Sequence, residues 1–171
     1  WTMMVLMPTR ISSLRFVGRS TELAQLVDAW KHADAGDRAT TVLVGGEAGV
    51  GKTRLLAELG ERVREQGGLV LVGSCLELTH QSLPFGPVVE AVRALRRTLD
   101  PATLEAVVGP AGPVLERLLP ETAPVSGAND ELSTAVLFEH LRGVLERLGE
   151  RVSTLLVLED LHWADHSTRD L

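Results

Sequence analysis

Eight consecutive residues, Gly46 to Thr53, have the types and the order that binding of a phosphate group requires. They read Gly-Glu-Ala-Gly-Val-Gly-Lys-Thr and fit the pattern G-x-x-x-x-G-K-[S/T] at every fixed position. Glycine permits positive φ angles and leaves no side chain between backbone and ligand, so successive N–H groups can turn toward an anion. Lys52 is expected to reach the β- and γ-phosphates of a nucleotide, and the Thr53 hydroxyl to bind Mg²⁺. The stretch predicts nucleotide binding; the alternative is a glycine-rich turn that matches by accident.

Two elements must position this loop, one on each side of it. Residues Thr41 to Val44 form a β-branched, apolar run and predict a buried strand leading into the loop. Residues Thr53 to Gln66 predict a helix, with Leu55, Leu56, Leu59 and Val63 on one face. A strand, this loop and a helix together are the context in which the pattern binds phosphate, because the positive end of the helix faces the anion.

A pair of acids supplies the second candidate group. Glu159 and Asp160 directly follow the apolar run Thr154 to Leu158, which predicts another buried strand. Carboxylates at the carboxyl end of a parallel strand lie beside the crevice where ligands bind. By their order, Glu159 is expected to hold Mg²⁺ and Asp160 to orient or deprotonate the attacking water. The alternative is a pair of solvated acids at a strand end.

In the segment that follows, His162 is expected to be a packing or surface residue and Trp163 a packing anchor.

The remaining chain alternates apolar strands with amphipathic helices. Residues Leu69 to Val72 predict a strand, and helices are expected near residues 20–35, 101–108, 113–119 and 130–148. A further helix is expected to start between Pro84 and Pro87, with Val88, Val89, Val92 and Leu95 on one face. Residues Pro120 to Asn129 are rich in Pro, Ser, Thr and Gly and predict a loop. Continuously apolar strands separated by helices favour an α/β fold with a parallel sheet covered on both faces.

Composition narrows the possible partners. The 171 residues are 44% hydrophobic and 23% charged, which is typical of a globular protein, and the net charge is −6. Nucleic-acid binding by this segment is not expected, because it has no excess of basic residues. Cys75 is the only cysteine, so the chain has no internal disulfide, in agreement with a cytoplasmic location. No run approaches the roughly 20 apolar residues of a membrane span. Residues 1–13 are expected to be a disordered or non-native leader.

Four stretches together resemble one family. They are Phe16-Val17-Gly18-Arg19-Ser20-Thr21-Glu22-Leu23, the loop from Gly46 to Thr53, Pro84-Phe85-Gly86-Pro87, and Leu156 to Asp165. In combination they are similar to the AAA-type ATPase module of STAND signalling proteins, most of all to that of large LuxR-type bacterial transcriptional regulators. The phosphate loop is shared by a very large superfamily, whereas the Val-Gly-Arg element and the segment Asp-Leu-His-Trp-Ala-Asp are more specific.

The resemblance implies a P-loop NTPase fold, a three-layer sandwich with a parallel sheet, and ATP or ADP with Mg²⁺ as ligands. It implies a slow switch in which the ATP state of the full-length protein self-associates, while DNA is bound only through a separate C-terminal domain. Lys52 and Asp160 would be catalytic, and Thr53 and Glu159 would hold the metal; the Glu departs from the Asp of many relatives. The nucleotide-binding residues would be Val17, Gly18, Arg19, Gly46, Glu47, Ala48, Gly49, Val50, Gly51, Lys52, Thr53 and Arg54.

The same resemblance implies the strand order 5-1-4-3-2, in which the phosphate-loop strand and the Glu159 strand are separated by a fourth strand. Residues 14–171 would then be the N-terminal part of the ATPase domain, ending after the Glu159 strand and lacking the polar sensor of the fourth strand. The expected function is an ATP-binding regulatory module of a LuxR-type regulator, cytoplasmic and without a membrane partner. Two alternatives are the same module fused to a nucleotide cyclase or protein kinase, and an inert fragment. ATP hydrolysis is expected of the full-length protein and not of this chain alone.

Overall fold

The computed structural model describes residues 18–36, 39–75, 85–119, 134–164 and 166–170. The expected leader at residues 1–13, the expected loop at residues 120–129 and Val17 lie outside the described residues. Two short 3-10 turns, Gly109–Ala111 and Leu161–Trp163, accompany the regular elements. The helices are α1 (Ser20–Gly36), α2 (Lys52–Glu65), α3 (Gly86–Thr98), α4 (Pro101–Val108), α5 (Gly112–Leu118), α6 (Thr134–Gly149) and α7 (His166–Asp170), and the strands are β1 (Leu69–Ser74) and β2 (Thr154–Glu159).

The two strands form a parallel pair, as predicted. The register runs from Leu69 opposite Thr154 to Ser74 opposite Glu159. The connection between them carries helices α3 to α6, because parallel neighbours need a long crossover. The adjacency of these two strands agrees with the expected order, in which the second and third strands are neighbours.

Each face of the sheet packs against its own hydrophobic cluster. Successive strand side chains point to opposite faces, so Leu69 and Leu71 join one cluster while Val70 and Leu155 pack against the other. The first cluster is completed by helices α3 to α6, and the second by Leu23 and Leu26 of α1 with three residues of α2. Those three, Leu55, Leu59 and Val63, belong to the predicted face of α2, whereas Leu56, also predicted there, is only partly buried and lies outside the cluster. Helices on both faces of a parallel sheet are the α/β arrangement that the sequence predicts.

The connection between α2 and β1 sets the orientation of the site. Helix α2 ends at Glu65, a turn follows with Gly67 at φ 82°, and β1 begins at Leu69. Helix α2 therefore runs antiparallel to β1, and its first residue lies at the end where β1 and β2 terminate. Fourteen helical residues and six strand residues both span about 20 Å, so the two elements also match in length.

Residues Thr41 to Val44 do not form the predicted strand. They belong to no strand or helix, and Val42 and Leu43 are 49% and 85% exposed. Only Val44 packs against the cluster of α1 and α2. A strand is stabilised by its ladder of hydrogen bonds, and no other described segment pairs with these residues. The apolar pattern of these residues was sufficient to predict a strand, but a strand forms only where a neighbouring strand supplies the hydrogen-bond partners.

Within the described residues, no helix is both long enough and apolar enough to cross a membrane.

Candidate functional site

The loop before α2 has the backbone angles that its glycines were expected to provide. Gly49 and Gly51 have φ angles of 76° and 93°, in the left-handed region where a side chain is disfavoured. A Cβ at Gly46 would also lie 3.2 Å from Cγ1 of Val50. Residues 46–50 are exposed, so this turn of backbone is open to a ligand.

Lys52 folds back over the loop. Its Nζ donates to the carbonyl oxygen of Gly46 at 2.8 Å and to that of Glu47 at 2.9 Å. An ammonium group has three donors, so one remains for a ligand after these two bonds. The carbonyls of the first two loop residues thus hold the Lys52 ammonium against the loop that is predicted to bind phosphate.

The first turn of α2 is open to an anion. Gly51 occupies the N-cap position and provides no side-chain cap, and the first turn contains no acidic residue. Its free N–H groups and the helix dipole both favour a negative charge there. Thr53 and Arg54 lie in this turn with exposed side chains, so both predicted ligand contacts are accessible.

The two predicted acids occupy different settings at the end of β2. Glu159 is the last residue of the strand and is half-buried, and its carbonyl oxygen accepts from the N–H of Cys75 at 3.1 Å. Asp160 has a φ of 56° and an exposed side chain. Its carbonyl oxygen accepts from the N–H of Trp163 at 2.8 Å, which closes the 3-10 turn. A left-handed non-glycine residue is uncommon and is often found at functional sites.

The segment after Asp160 is more exposed than expected. His162 lies at the surface, as predicted, with Nδ1 4.0 Å from Oδ1 of Asp160. Its ring centroid is 5.0 Å from that of Trp163. Trp163 is 45% exposed, so the expectation that it anchors the core is wrong. The 3-10 turn carries it away from both described clusters, which the sequence pattern did not indicate.

The entry to α1 holds the remaining predicted nucleotide contacts. Gly18 and Arg19 have φ angles of 82° and 54°, and the carbonyl oxygen of Arg19 accepts from the N–H of Leu23 at 3.0 Å. Two successive left-handed residues turn the chain sharply just before the helix. Helix α1 packs against α2, the helix that follows the phosphate loop. This contact links the turn at Gly18 and Arg19 to the candidate phosphate site.

The fold brings the loop and the acids to one end of the molecule. Helix α2 carries Lys52 and Thr53 at its first turn and packs through Leu55 against a cluster that includes Leu155 of β2. Because α2 runs antiparallel to the two parallel strands, that first turn lies at the end where β2 presents Glu159. The arrangement of parallel strand ends beside a helix N-terminus is the one at which α/β proteins bind ligands.

The donors present fit Mg²⁺. The Thr53 hydroxyl and the Glu159 carboxylate are oxygen ligands, the kind that Mg²⁺ prefers. In the described part of the chain no three His, Cys, Asp or Glu side chains form a cluster that could hold a metal.

Sequence reasoning did not identify Glu90 of α3. Its Oε2 accepts from the backbone N–H of Ser74 at 2.8 Å, at the same end of the sheet. One feature of the sequence could have pointed to this residue: Glu90 is the single acid in α3 and lies among apolar residues.

Comparison with known proteins identifies the family. Residues 15–171 match the model of the AAA ATPase domain family. The chain belongs to this family, and the nucleotide-binding P-loop class that the sequence predicted is confirmed at that level. It is also 29% identical over 175 residues to an uncharacterized protein of Rhizobium meliloti (strain 1021). That alignment covers 91% of this chain and 16% of the relative, so the chain spans about a sixth of the relative's length. No solved structure matches significantly.

Proposed function

We propose that this chain is the ATP-binding switch module of a LuxR-type transcriptional regulator. Membership of the AAA ATPase family supports nucleotide binding with Mg²⁺. The observation that carries the site assignment is the Lys52 ammonium, which two loop carbonyls hold at the mouth of a glycine turn. The regulator assignment is supported by the Val-Gly-Arg element and the Asp-Leu-His-Trp-Ala-Asp segment. A cytoplasmic location belongs to the proposal, because ATP is the expected ligand.

Each residue of the site has a separate role, which depends on its position. The loop amides of residues 46–51 and the Lys52 ammonium bind the phosphates, and Thr53 and Glu159 hold Mg²⁺, with Arg54 at the edge of the phosphate site. Asp160 orients the water that attacks the terminal phosphate. Val17, Gly18 and Arg19 lie against the adenine. Mg²⁺ held by these residues would supply positive charge that stabilises the negative charge developing on the phosphates during hydrolysis.

The proposal includes a further strand of the full-length protein between residues 41–44 and β2. Val44 and Leu155 pack against the same cluster, so the two segments lie on one face of the same helices. Leu156 and Leu158 of β2 are partly exposed, as are Val42 and Leu43. A parallel strand in this position would pair with both segments and cover these side chains.

The substitution Lys52→Ala tests the site. We expect Mg-ATP affinity to fall by about tenfold or more, because a charge-assisted contact is worth about 1.5–3 kcal/mol. Isothermal titration calorimetry measures the effect. Lys31, an exposed residue of α1 and the other lysine of the chain, provides the matched control: Lys31→Ala should bind as the wild type does. Equal affinity of the Lys52 variant and the wild type would rule out the phosphate-loop assignment.

The regulator assignment has a separate test. A helix-turn-helix in the full-length protein, with ATP-dependent DNA binding and self-association, would support it. A cyclase or kinase domain in that protein would contradict it and would favour the same module in a signalling enzyme.

A further inference from the structure

Glu90 of α3 binds the backbone of Ser74, the last residue of β1. The carboxylate accepts from the N–H of Ser74 at 2.8 Å, and the contact is partly buried. Hydrogen bonds to a charged acceptor are stronger than neutral ones, and more so where water is partly excluded. Glu90 is therefore bound to the last residue of the strand and not simply solvated on the surface of α3.

The direction of the N–H groups shows which edge Glu90 occupies. Leu69 and Cys75 donate to the carbonyl oxygens of Ser153 and Glu159, so their N–H groups point toward β2. Hydrogen-bonding direction alternates along a strand, and the N–H of Ser74 therefore points away from β2. Glu90 closes the outer edge of β1 at the point where the ladder ends.

Helix α3 is held firmly in this position. A Cβ at Gly73 would overlap the carbonyl oxygen of Pro87, so the first turn of α3 lies directly on the strand. Val88 and Val89 are buried in the same cluster as Leu71 of β1, and Pro87 is buried as well. Glu90 thus extends from a rigid base.

The end of β1 in turn holds the backbone of Glu159. Ser74 lies opposite Glu159 in the register, and the N–H of Cys75 donates to the Glu159 carbonyl oxygen at 3.1 Å. The left-handed turn at Asp160 follows at once. The last ladder bond is therefore what fixes the Glu159 backbone before the chain turns.

We propose that Glu90 is a positioning residue for the metal-binding carboxylate of Glu159. Its bond to Ser74 keeps the end of β1 from fraying, which preserves the bond from Cys75 to Glu159 and the direction of the Glu159 side chain. This inference rests on the proposed function, since it assigns the same Mg²⁺ site a supporting residue. Groups that orient a metal ligand typically contribute about tenfold or more to metal affinity.

The test compares Glu90→Ala, Glu90→Gln and the control Glu105→Ala, which removes an exposed carboxylate on α4. The first readout is amide hydrogen exchange in the absence of nucleotide. We expect Glu90→Ala to accelerate exchange at Ser74 and Cys75 and to leave Leu69 to Leu71 unchanged. Glu90→Gln keeps an acceptor oxygen and should restore most of the protection, and Glu105→Ala should match the wild type.

The second readout is ATP affinity measured with Mg²⁺ and with the metal chelated. We expect Glu90→Ala to reduce the gain in affinity that Mg²⁺ provides by about tenfold, with unchanged affinity for metal-free ATP. Faster exchange with an unchanged Mg²⁺ gain would overturn the positioning role, as would unchanged exchange. A general loss of folding would appear as faster exchange throughout β1 and would also count against it. If the wild type binds no ATP, the proposed function fails first and the inference with it.

Discussion

Two adjacent carboxylates at the end of β2 have different surroundings, and this difference agrees with the different roles that their order in the sequence predicts. Glu159 is half-buried, and its backbone is part of the ladder with β1. Asp160 is exposed in a left-handed turn, so its side chain leaves the strand in another direction. A half-buried carboxylate on a paired strand suits a metal, and an exposed one suits a water molecule.

Paired substitutions separate these roles in the full-length protein. Asp160→Asn should retain ATP and slow hydrolysis by about a hundredfold or more, the range of general acid–base effects. Glu159→Gln should weaken the dependence of ATP binding on Mg²⁺, because a neutral amide is a poorer ligand for the ion. Calorimetry with and without Mg²⁺ and a phosphate-release assay distinguish the two. Exchanged phenotypes would show that the roles are assigned the wrong way round.

At the scale of single elements, local sequence signals account for where the helices begin and end. Asp100 precedes α4, and its Oδ1 accepts from the N–H groups of Ala102 and Thr103, each at 3.1 Å. Pro101 takes the first helical position, where its missing N–H is not needed. The helix predicted at residues 101–108 is confirmed with these bounds.

The Asp100 cap should make α4 sensitive to pH. A hydrogen bond from the Thr103 side chain, followed by backbone hydrogen bonds, lowers the pKa of Asp100 below its ordinary value. A lowered folded-state pKa adds stability that is complete above the ordinary carboxyl pKa of about 4 and disappears as the pH falls through the folded-state value. Asp100→Ala should therefore lower the melting temperature at pH 7 and have less effect at pH 2.

The matched control is Asp100→Asn, which can still cap the helix but does not titrate. It should melt closer to the wild type than Asp100→Ala does at pH 7. Thermal unfolding followed by circular dichroism at both pH values measures all three proteins. A loss that is equal at pH 7 and pH 2 would show that the charge of the cap contributes nothing.

At the scale of the whole molecule, the two edges of the sheet differ. Glu90 and the first turn of α3 close the outer edge of β1. On the other side, β2 has partly exposed leucines, and residues 41–44 have no ladder partner among the described segments. An open parallel edge leaves N–H and C=O groups to be satisfied by another strand.

The proposed strand between β2 and residues 41–44 makes a prediction about activity. We expect residues 1–171 alone to bind nucleotide weakly and to show negligible turnover. Neighbouring strands lie about 4.8 Å apart, so β2 would have to move by about that distance to pair directly with residues 41–44, and Asp160 would move with it. Displacements near 1 Å in a catalytic group can already cost about a hundredfold in rate. A longer form containing the next strand should hydrolyse ATP, and a phosphate-release assay with Lys52→Ala as control compares the two. Robust, Lys52-dependent hydrolysis by the short form would contradict the proposed strand.

Most of the local structure, and the kinds of side chain at the candidate site, could be predicted from the amino-acid sequence alone. The helices, β1 and β2 follow from hydrophobic periodicity and caps, and the loop from Gly46 to Thr53 follows from glycine and lysine at fixed spacing, because these effects act within one or two turns of chain. Tertiary structure decided whether an apolar run is paired, as residues 41–44 show, since a ladder requires a neighbour distant in sequence. It also decided that Trp163 is exposed and that Glu90 reaches Ser74, because both depend on how a turn directs the chain and on which helix crosses which strand end.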